Sequence, residues 1–351
     1  MRLYQKIIWF INILIVFSTI FSYLSPYIHP AKTCFFAVFG LAFPWLFFAN
    51  IAFILFWALN KPIYALLSII CLGAGFNYID KFFGTHGIQD DQPYEHKINI
   101  STFNMQFSKS VMHIKDKEQR RKKMEEYKTY LKRFHEVDIF CGQEFGHSSG
   151  QMITAALGFK YVHKLKEKST AIYSKHPIIA KGQIDFGTKV NSCVWADINV
   201  NDHVVRVYSA HLQSNRISGK ESELIEAGRW ERKTFLGLKD MFGKYQKYTN
   251  TRAEQAQKIK EHAATSKVPY IICGDFNDPP QSYVYQKMAR NMNDSFRCAG
   301  SGIGTSFNGV IPALRIDYIL ASQDFDVYQH RVIKEGRYSD HYPIISTVAL
   351  P

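Results

Sequence analysis

Several short polar clusters in this 351-residue chain fall where apolar, β-branched runs end. Asn104 closes Ile98-Asn99-Ile100-Ser101-Thr102-Phe103, and Glu144 follows Val137-Asp138-Ile139-Phe140-Cys141-Gly142-Gln143. His211 follows Val205-Arg206-Val207-Tyr208-Ser209-Ala210, with Leu212 and Gln213 after it, and Asp275 and Asn277 follow Tyr270-Ile271-Ile272-Cys273-Gly274. Asp317 sits in Arg315-Ile316-Asp317-Tyr318, and Ser339-Asp340-His341-Tyr342-Pro343 lies near the C-terminus. Each has an ordinary reading when taken alone. Gly-Asp-Phe-Asn-Asp-Pro-Pro is a turn sequence, because Asn and Asp bond their own backbone and Pro fixes φ. An Asp-His pair is usually a surface or capping pair. Together, carboxylates and carboxamides at the ends of apolar strands supply hard oxygen ligands for Mg2+ and donors to a phosphate, and two His can manage protons.

Such a set suits chemistry on a phosphoester. A phosphoester resists attack because its oxygens repel the nucleophile, and a divalent ion held by Glu144 would neutralise that charge and stabilise the leaving oxygen. Asp275 can accept a proton from water, and a carboxylate beside His341 favours its imidazolium form.

The ordered set Asn104, Gln143-Glu144, His211-Leu212, Gly274-Asp275-Phe276-Asn277, Arg315-Ile316-Asp317-Tyr318 and Ser339-Asp340-His341 resembles the endonuclease/exonuclease/phosphatase superfamily, in a membrane-anchored, bacterial-type form. That superfamily groups deoxyribonuclease I-like nucleases, inositol polyphosphate phosphatases and neutral sphingomyelinases. The resemblance covers residues 97 to 350. It implies a four-layer α/β sandwich of two packed β-sheets flanked by helices, with the site at one edge. It also implies Mg2+ as cofactor, with Mn2+ a substitute, and the metal ligands Asn104, Glu144, Asp317 and Asp340, Glu144 being the principal one. The catalytic set implied is His211, Asp275, Asn277, Asp340 and His341, with Asp275 activating water and Asp340 orienting His341. Asn277, His211 and Gln213 are the implied substrate contacts. Abasic-site enzymes carry Tyr where His211 stands, which weighs against that subgroup.

The elements that must position these groups are strands alternating with helices. Strands are expected at Lys97 to Phe103, Val137 to Cys141, Thr170 to Ser174, Cys193 to Val200, Val204 to Ala210, Tyr270 to Cys273, Asp317 to Ala321 and Ile344 to Val348. Met124, Tyr127, Leu131 and Phe134 recur at helical spacing and predict an amphipathic helix whose outer face carries Arg120-Arg121-Lys122-Lys123. A second helix is expected over Arg252 to Ala264. Residues 214 to 250 read as a long polar and basic stretch, either a loop with Trp230 and Phe235 as membrane-contact candidates or a solvated helix pair with ordinary core contacts.

Lys+Arg number 43 against 30 Asp+Glu, a formal net charge of +13, and 46% of residues are hydrophobic. The charge is unevenly spread. Residues 1 to 79 hold four basic side chains (Arg2, Lys6, Lys32 and Lys61) and no acidic one, leaving 39 basic and 30 acidic beyond, a net +9. Six Cys without a C-x-x-C spacing argue against a disulfide scaffold or zinc ribbon. The expected organisation is an anchor over 1–80, with spans at about 7–28, 34–58 and 62–79, a linker over 81–96 and a catalytic domain over 97–351. Pro44 would kink the second span. Arg2 and Lys6 favour a cytoplasmic N-terminus, so three spans would put the catalytic domain of this plasma or inner membrane protein outside the cytoplasm. If the third run does not span, that placement reverses. The expected function is a membrane-anchored phosphodiesterase or phosphatase acting on lipid head groups or inositol phosphates. The alternatives are a nuclease on DNA or RNA and, more remotely, a non-catalytic binding module. The partners expected are the phosphoester and the bilayer, with no obligate protein partner.

Overall fold

The computed structural model describes residues 2–86, 97–145, 147–165, 169–188, 191–215, 232–309 and 313–350. They divide into two compact units. The first comprises Met1–Phe83, Asn215–Ala253 and Asp278–Lys287, and the second Gly84–Ser214, Glu254–Asn277 and Met288–Pro351. Trp230 and much of the expected linker (87–96) lie outside the described residues.

The first unit is built on apolar helices α1 (Leu3–Leu24), α2 (Phe35–Leu41), α3 (Phe43–Asn60), α4 (Pro62–Ala74) and α5 (Phe76–Ile79). It buries polar side chains beside apolar ones such as Phe43 and Trp57, and leaves many apolar ones exposed. Asn12, Thr19, Ser22, Asn50 and Ser68 are fully buried, while Phe10, Phe17, Leu55, Leu59, Ile63 and Ile70 are exposed. The inner polar groups bond between helices: Asn12 Nδ2 donates to Ser68 Oγ at 2.8 Å, and Asn50 Nδ2 to Thr19 Oγ1 at 2.9 Å. The expected spans need two corrections. The second run divides at Ala42, and Pro44 sits in the first turn of α3, where its missing N–H costs no bond, rather than kinking one long helix. The third run breaks at Gly75 into helices of 13 and 4 residues. Thirteen residues reach only about 20 Å at ~1.5 Å each, short of a ~30 Å hydrocarbon core. Among the described residues two helices, over Leu3–Tyr27 and Phe43–Asn60, are long and apolar enough to cross a membrane.

The second unit holds two six-stranded sheets among the described residues. One runs β10 (Met292–Asp294), β12 (Asp317–Ser322), β9 (Tyr270–Asp275), β8 (His203–His211), β7 (Ser192–Val200), β6 (Ile178–Ile184). The other runs β13 (Val327–Val332), β14 (Ile344–Ala349), β2 (Lys97–Asn104), β3 (Ile139–Gln143), β5 (Ala171–Ser174), β4 (Tyr161–Lys164). A small third pairing joins β1 (Phe83–Thr85) to β11 (Ser301–Ile303). Both large sheets are mixed, with β2/β3 and β8/β9 parallel and the other pairs antiparallel.

The facing sides are β-branched. Ile98, Ile139 and Ile172 of one sheet share a fully buried core with Val194, Val207, Ile271 and Ile319 of the other. Each such side chain contributes about 1.5–3 kcal/mol by leaving water. Besides a single turn, α6 (Lys109–Met112), two helices cover the outer face of β2 and β3. These are α7 (Lys117–Leu131), which buries Tyr127 and Leu131, and α8 (His147–Leu157), which buries Met152 and Ile153. Asp116 starts α7 by accepting from the Gln119 N–H at 2.7 Å, a standard N-cap bond. The far face of the other sheet meets the last turns of α9 (Arg232–Ala264), where the His262 ring lies against Trp195 and Tyr208. This is the expected sandwich of two sheets flanked by helices. Of the 214–250 stretch, the part from Arg232 onward is helical and runs on into the helix expected over Arg252 to Ala264. Shorter helices α10 (Tyr283–Ala289) and α11 (Ser295–Ala299) follow β9 and β10.

Candidate active site

Strand register brings the polar clusters together. Asn104 and Gln143 are partners at the ends of parallel β2 and β3, and His211 and Asp275 are partners at the ends of parallel β8 and β9. Antiparallel β12 begins at Asp317 opposite Asp275. The two sheets meet through these ends: Asn104 Nδ2 donates to Asp275 Oδ2 at 3.0 Å. Gln143 lies deeper, where its amide bonds Thr102, the Cys141 carbonyl and Ser209 and so ties the sheets beneath the site.

The turns that carry the groups are conformationally unusual. Gln106, Phe107 and Ser108 after β2, Glu144 after β3 and Asn277 after β9 all have φ between 45° and 54°, in the left-handed region. Non-glycine residues seldom sit there, and such strain is held where surrounding bonds over-determine it. For Glu144 the fixing bond is its carbonyl, which accepts from the Phe107 N–H at 2.7 Å. For Asn277 it is the N–H donated to Asp275 Oδ1 at 2.8 Å. Both oxygens of Asp275 are therefore held.

His341 Nδ1 lies 2.9 Å from Asp317 Oδ2, and its Nε2 lies 3.7 Å from Asp275 Oδ2. His211 Nε2 lies 3.8 Å from Asp275 Oδ2 and 3.9 Å from Glu144 Oε1. The orienting carboxylate of His341 is thus Asp317, not the sequence neighbour Asp340 as expected. Asp340 Oδ2 instead accepts from Gln106 Nε2 at 3.1 Å. Ser306 Oγ accepts from the Asp317 N–H at 3.0 Å, and the Phe307 ring stands edge-on to His341 at 5.0 Å. Gln106, Ser306 and Phe307 carried no motif signal. Gln106 was the most accessible of them, being a donor two residues beyond Asn104. Gln213 sits two residues past His211, with Nε2 donating to the Ser214 carbonyl at 3.1 Å. Asn277 Nδ2 donates to the Leu212 carbonyl at 3.1 Å.

Electrostatics separate the two histidines. Burial alone would lower His341, but Asp317 and Asp275 outweigh it and carry the ring up to about 10, so it is cationic at neutral pH. Burial lowers His211, with only partial opposition from Asp275, so that ring is neutral. Burial also raises Asp275 to about 6, against the pull of His341, and raises Glu144.

The donor set fits a hard cation. Asp275 and Asp317 have carboxylate oxygens within 4.8 Å of each other and of the His341 ring, which as a cation is a neighbour and not a ligand, and Glu144 and Asp340 add carboxylates to the same end of the sandwich. Asp317 Oδ1 and His211 Nε2 are buried with no hydrogen-bond partner among the described residues, as atoms waiting on a ligand would be. Carboxylate and carboxamide oxygens are ligands suited to Mg2+ or Mn2+.

A model of the Endonuclease/Exonuclease/phosphatase family matches residues 101–341, and one for a domain of unknown function (DUF8431) matches residues 5–82. No curated protein matches. Among solved structures, the endonuclease/exonuclease/phosphatase from Beutenbergia cavernae DSM 12333 is similar at TM-score 0.52 and 17% identity, over 73% of this chain and 72% of that one. The endonuclease/exonuclease/phosphatase from Bacteroides vulgatus gives 0.51 and 18% over 73% of this chain and all (100%) of that one. A functionally unknown conserved protein from Enterococcus faecalis V583 gives 0.53 and 18% over 72% and 100%. At these identities the likeness is one of fold.

Proposed function

This chain belongs to the endonuclease/exonuclease/phosphatase family, and on that premise we propose that it is a membrane-held, Mg2+-dependent phosphoester hydrolase, with Mn2+ as a substitute. The observation that carries the reading is the pairing of a doubly held buried carboxylate, Asp275, with a cationic imidazole, His341, at one sheet end. Asp275 takes the proton of the attacking water, and its fixed oxygens keep it aimed. His341, held at Nδ1 by Asp317, presents Nε2 to the phosphoryl group or leaving oxygen. Neutral His211 has its Nε2 3.8 Å from the same Asp275 oxygen, Oδ2. Asn277 spends one amide N–H on the Leu212 carbonyl, which leaves the second for a phosphoryl oxygen, and Gln213 is a further substrate contact. Glu144 is the principal metal ligand, with Asn104 beside it and Asp317 and Asp340 near. When bound, the cation neutralises charge on the phosphoryl oxygens and stabilises the leaving group.

The membrane reading is supported by the many exposed apolar side chains of the helical unit. It exposes Leu59 at 88% and Ile63 at 69%, while Asn12, Asn50 and Ser68 are buried and bonded between helices. The proposed substrate is a phosphoester on a lipid head group or an inositol phosphate, since tethering raises the effective concentration of the domain at a bilayer. Placement outside the cytoplasm requires α4 and α5 to complete a third crossing despite the break at Gly75. A Lys334→Cys variant labelled by an impermeant maleimide in intact cells supports that placement, and labelling only after lysis puts the domain in the cytoplasm.

The test is release of phosphate or phosphorylated head group from vesicles, set beside plasmid nicking, each with Mg2+ and with EDTA. Nicking without vesicle activity favours the nuclease, and no activity with any phosphoester favours a binding module. Glu144→Ala, Asp275→Ala and His341→Ala should each lower turnover at least about 10²-fold. Near-normal turnover in two of the three folded variants removes the assignment.

A further inference from the structure

Asn277 is followed by Asp278, where the chain enters the helical unit. Within that unit Arg252 of α9 is wholly buried, and its guanidinium donates to Asp278 Oδ1 at 3.0 Å, Asn215 Oδ1 at 2.7 Å and Thr249 Oγ1 at 2.9 Å. Asp278 comes shortly after Asp275, and Asn215 shortly after His211. Asp275 and His211 are themselves register partners. One guanidinium therefore joins the two chains that leave the strand ends bearing candidate catalytic groups.

The rest of Asp278–Lys287 is fixed on the apolar helices of the same unit. Gln281, itself buried, donates Nε2 to the Ser22 carbonyl near the end of α1 at 3.1 Å. Its own carbonyl occupies the space over Gly40 of α2, only 2.2 Å from where a Cβ would stand. The His29 ring meets Tyr283 edge-on at 4.8 Å, and Lys81 Nζ lies 3.4 Å from Gln286 Oε1. Removing an Arg and an Asp from water this completely carries a desolvation penalty that their attraction has to offset. Such a pair adds little stability over an apolar one, but its planar fork fixes three chain segments in one geometry.

We propose that the helical unit is a working part of the hydrolase: through Arg252 and the docked 278–287 segment it sets the positions of His211, Asp275 and Asn277. Arg252 acts as a positioning residue. The consequence for turnover rests on the phosphoester reading, whereas the coupling itself does not.

The experiment uses the full chain in detergent micelles and reads two quantities. One is amide exchange at Phe276 and Asn277, whose N–H groups bond the Ile316 carbonyl and Asp275 Oδ1, each at 2.8 Å. The other is the split between kcat and KM on bis(p-nitrophenyl) phosphate. Arg252→Met and Gly40→Val should speed exchange at both amides about tenfold and lower kcat about tenfold or more, with KM within about threefold, as loss of alignment predicts. Arg252→Lys, which keeps the charge and loses the fork, should fall between. Phe76→Leu, at an exposed position of α5, should match wild type. If Gly40→Val does not fold, Gln281→Leu replaces it. Faster exchange confined to 278–287, with Phe276 and Asn277 unchanged, overturns the proposal. A wild-type chain that turns over no phosphoester removes the functional reading, and the exchange measurement still decides the coupling.

Discussion

Gly274 offers a way to disturb the site without removing any chemical group. It precedes Asp275 with φ of +146°, and a Cβ built there would stand 1.9 Å from the Ala210 carbonyl oxygen on the neighbouring strand. Real Cβ contacts essentially never fall under 3.0 Å, so Gly274→Ala must part β8 and β9 by about 1.1 Å at this point. Ala210 and Gly274 are register partners one step before His211 and Asp275, so the displacement falls on that pair directly. A shift of about 1 Å in reacting groups costs roughly 10²-fold in rate, or about 2.7 kcal/mol of barrier. The backbone strain adds about 1–3 kcal/mol of lost stability. The assay pairs kcat on bis(p-nitrophenyl) phosphate with thermal unfolding of the same sample. Both should fall, with kcat measured well below the unfolding midpoint. An Ala variant that melts lower and keeps turnover within threefold would mean that strain dissipates elsewhere, which refutes strand register as the determinant of alignment.

Removing the Asn104 donor by Asn104→Leu takes away a bond that favours the ionised form of Asp275. The activity limb that rises as Asp275 loses its proton should therefore move to higher pH, and a profile with an unmoved limb counts against Asp275 as base. Arg315 Nη1 bonds both oxygens of Asp294 in a pair only 3% and 1% exposed, so Arg315→Met should cost about 3–5 kcal/mol. Urea midpoints check this, and a joint Arg315→Met, Asp294→Leu variant should recover most of the loss. Mg2+ should raise the melting temperature by relieving repulsion among Glu144, Asp275, Asp317 and Asp340, by an amount equivalent to about 2.7 kcal/mol at a hundredfold excess over Kd. Glu144→Gln should blunt the rise, and an equal rise in both proteins places the ion elsewhere.

What the sequence could and could not disclose follows from the range of the forces involved. The central strands of both sheets were legible because their side chains are apolar on both faces, as in Ile271-Ile272-Cys273 and Ile319-Leu320-Ala321. Edge strand β6 was not, since Ile178–Ile184 alternates weakly and is largely exposed. Strand ends were legible as sites because polar residues interrupt such runs abruptly. The partner of His341 was hidden for the opposite reason. Proximity in the chain suggested Asp340, whereas the register of β12 on β9 delivers Asp317 from 24 residues away. Hydropathy averaged over 62–79 could not register the break at Gly75, because a helix end depends on backbone geometry that an apolar sum ignores. Arg252 was legible only as the start of an expected helix, yet it is buried with Asp278. Arg252 and Asp278 lie in the connections that follow β8 and β9. The strands fix which groups meet, and those connections are where the proposed coupling would set their final alignment.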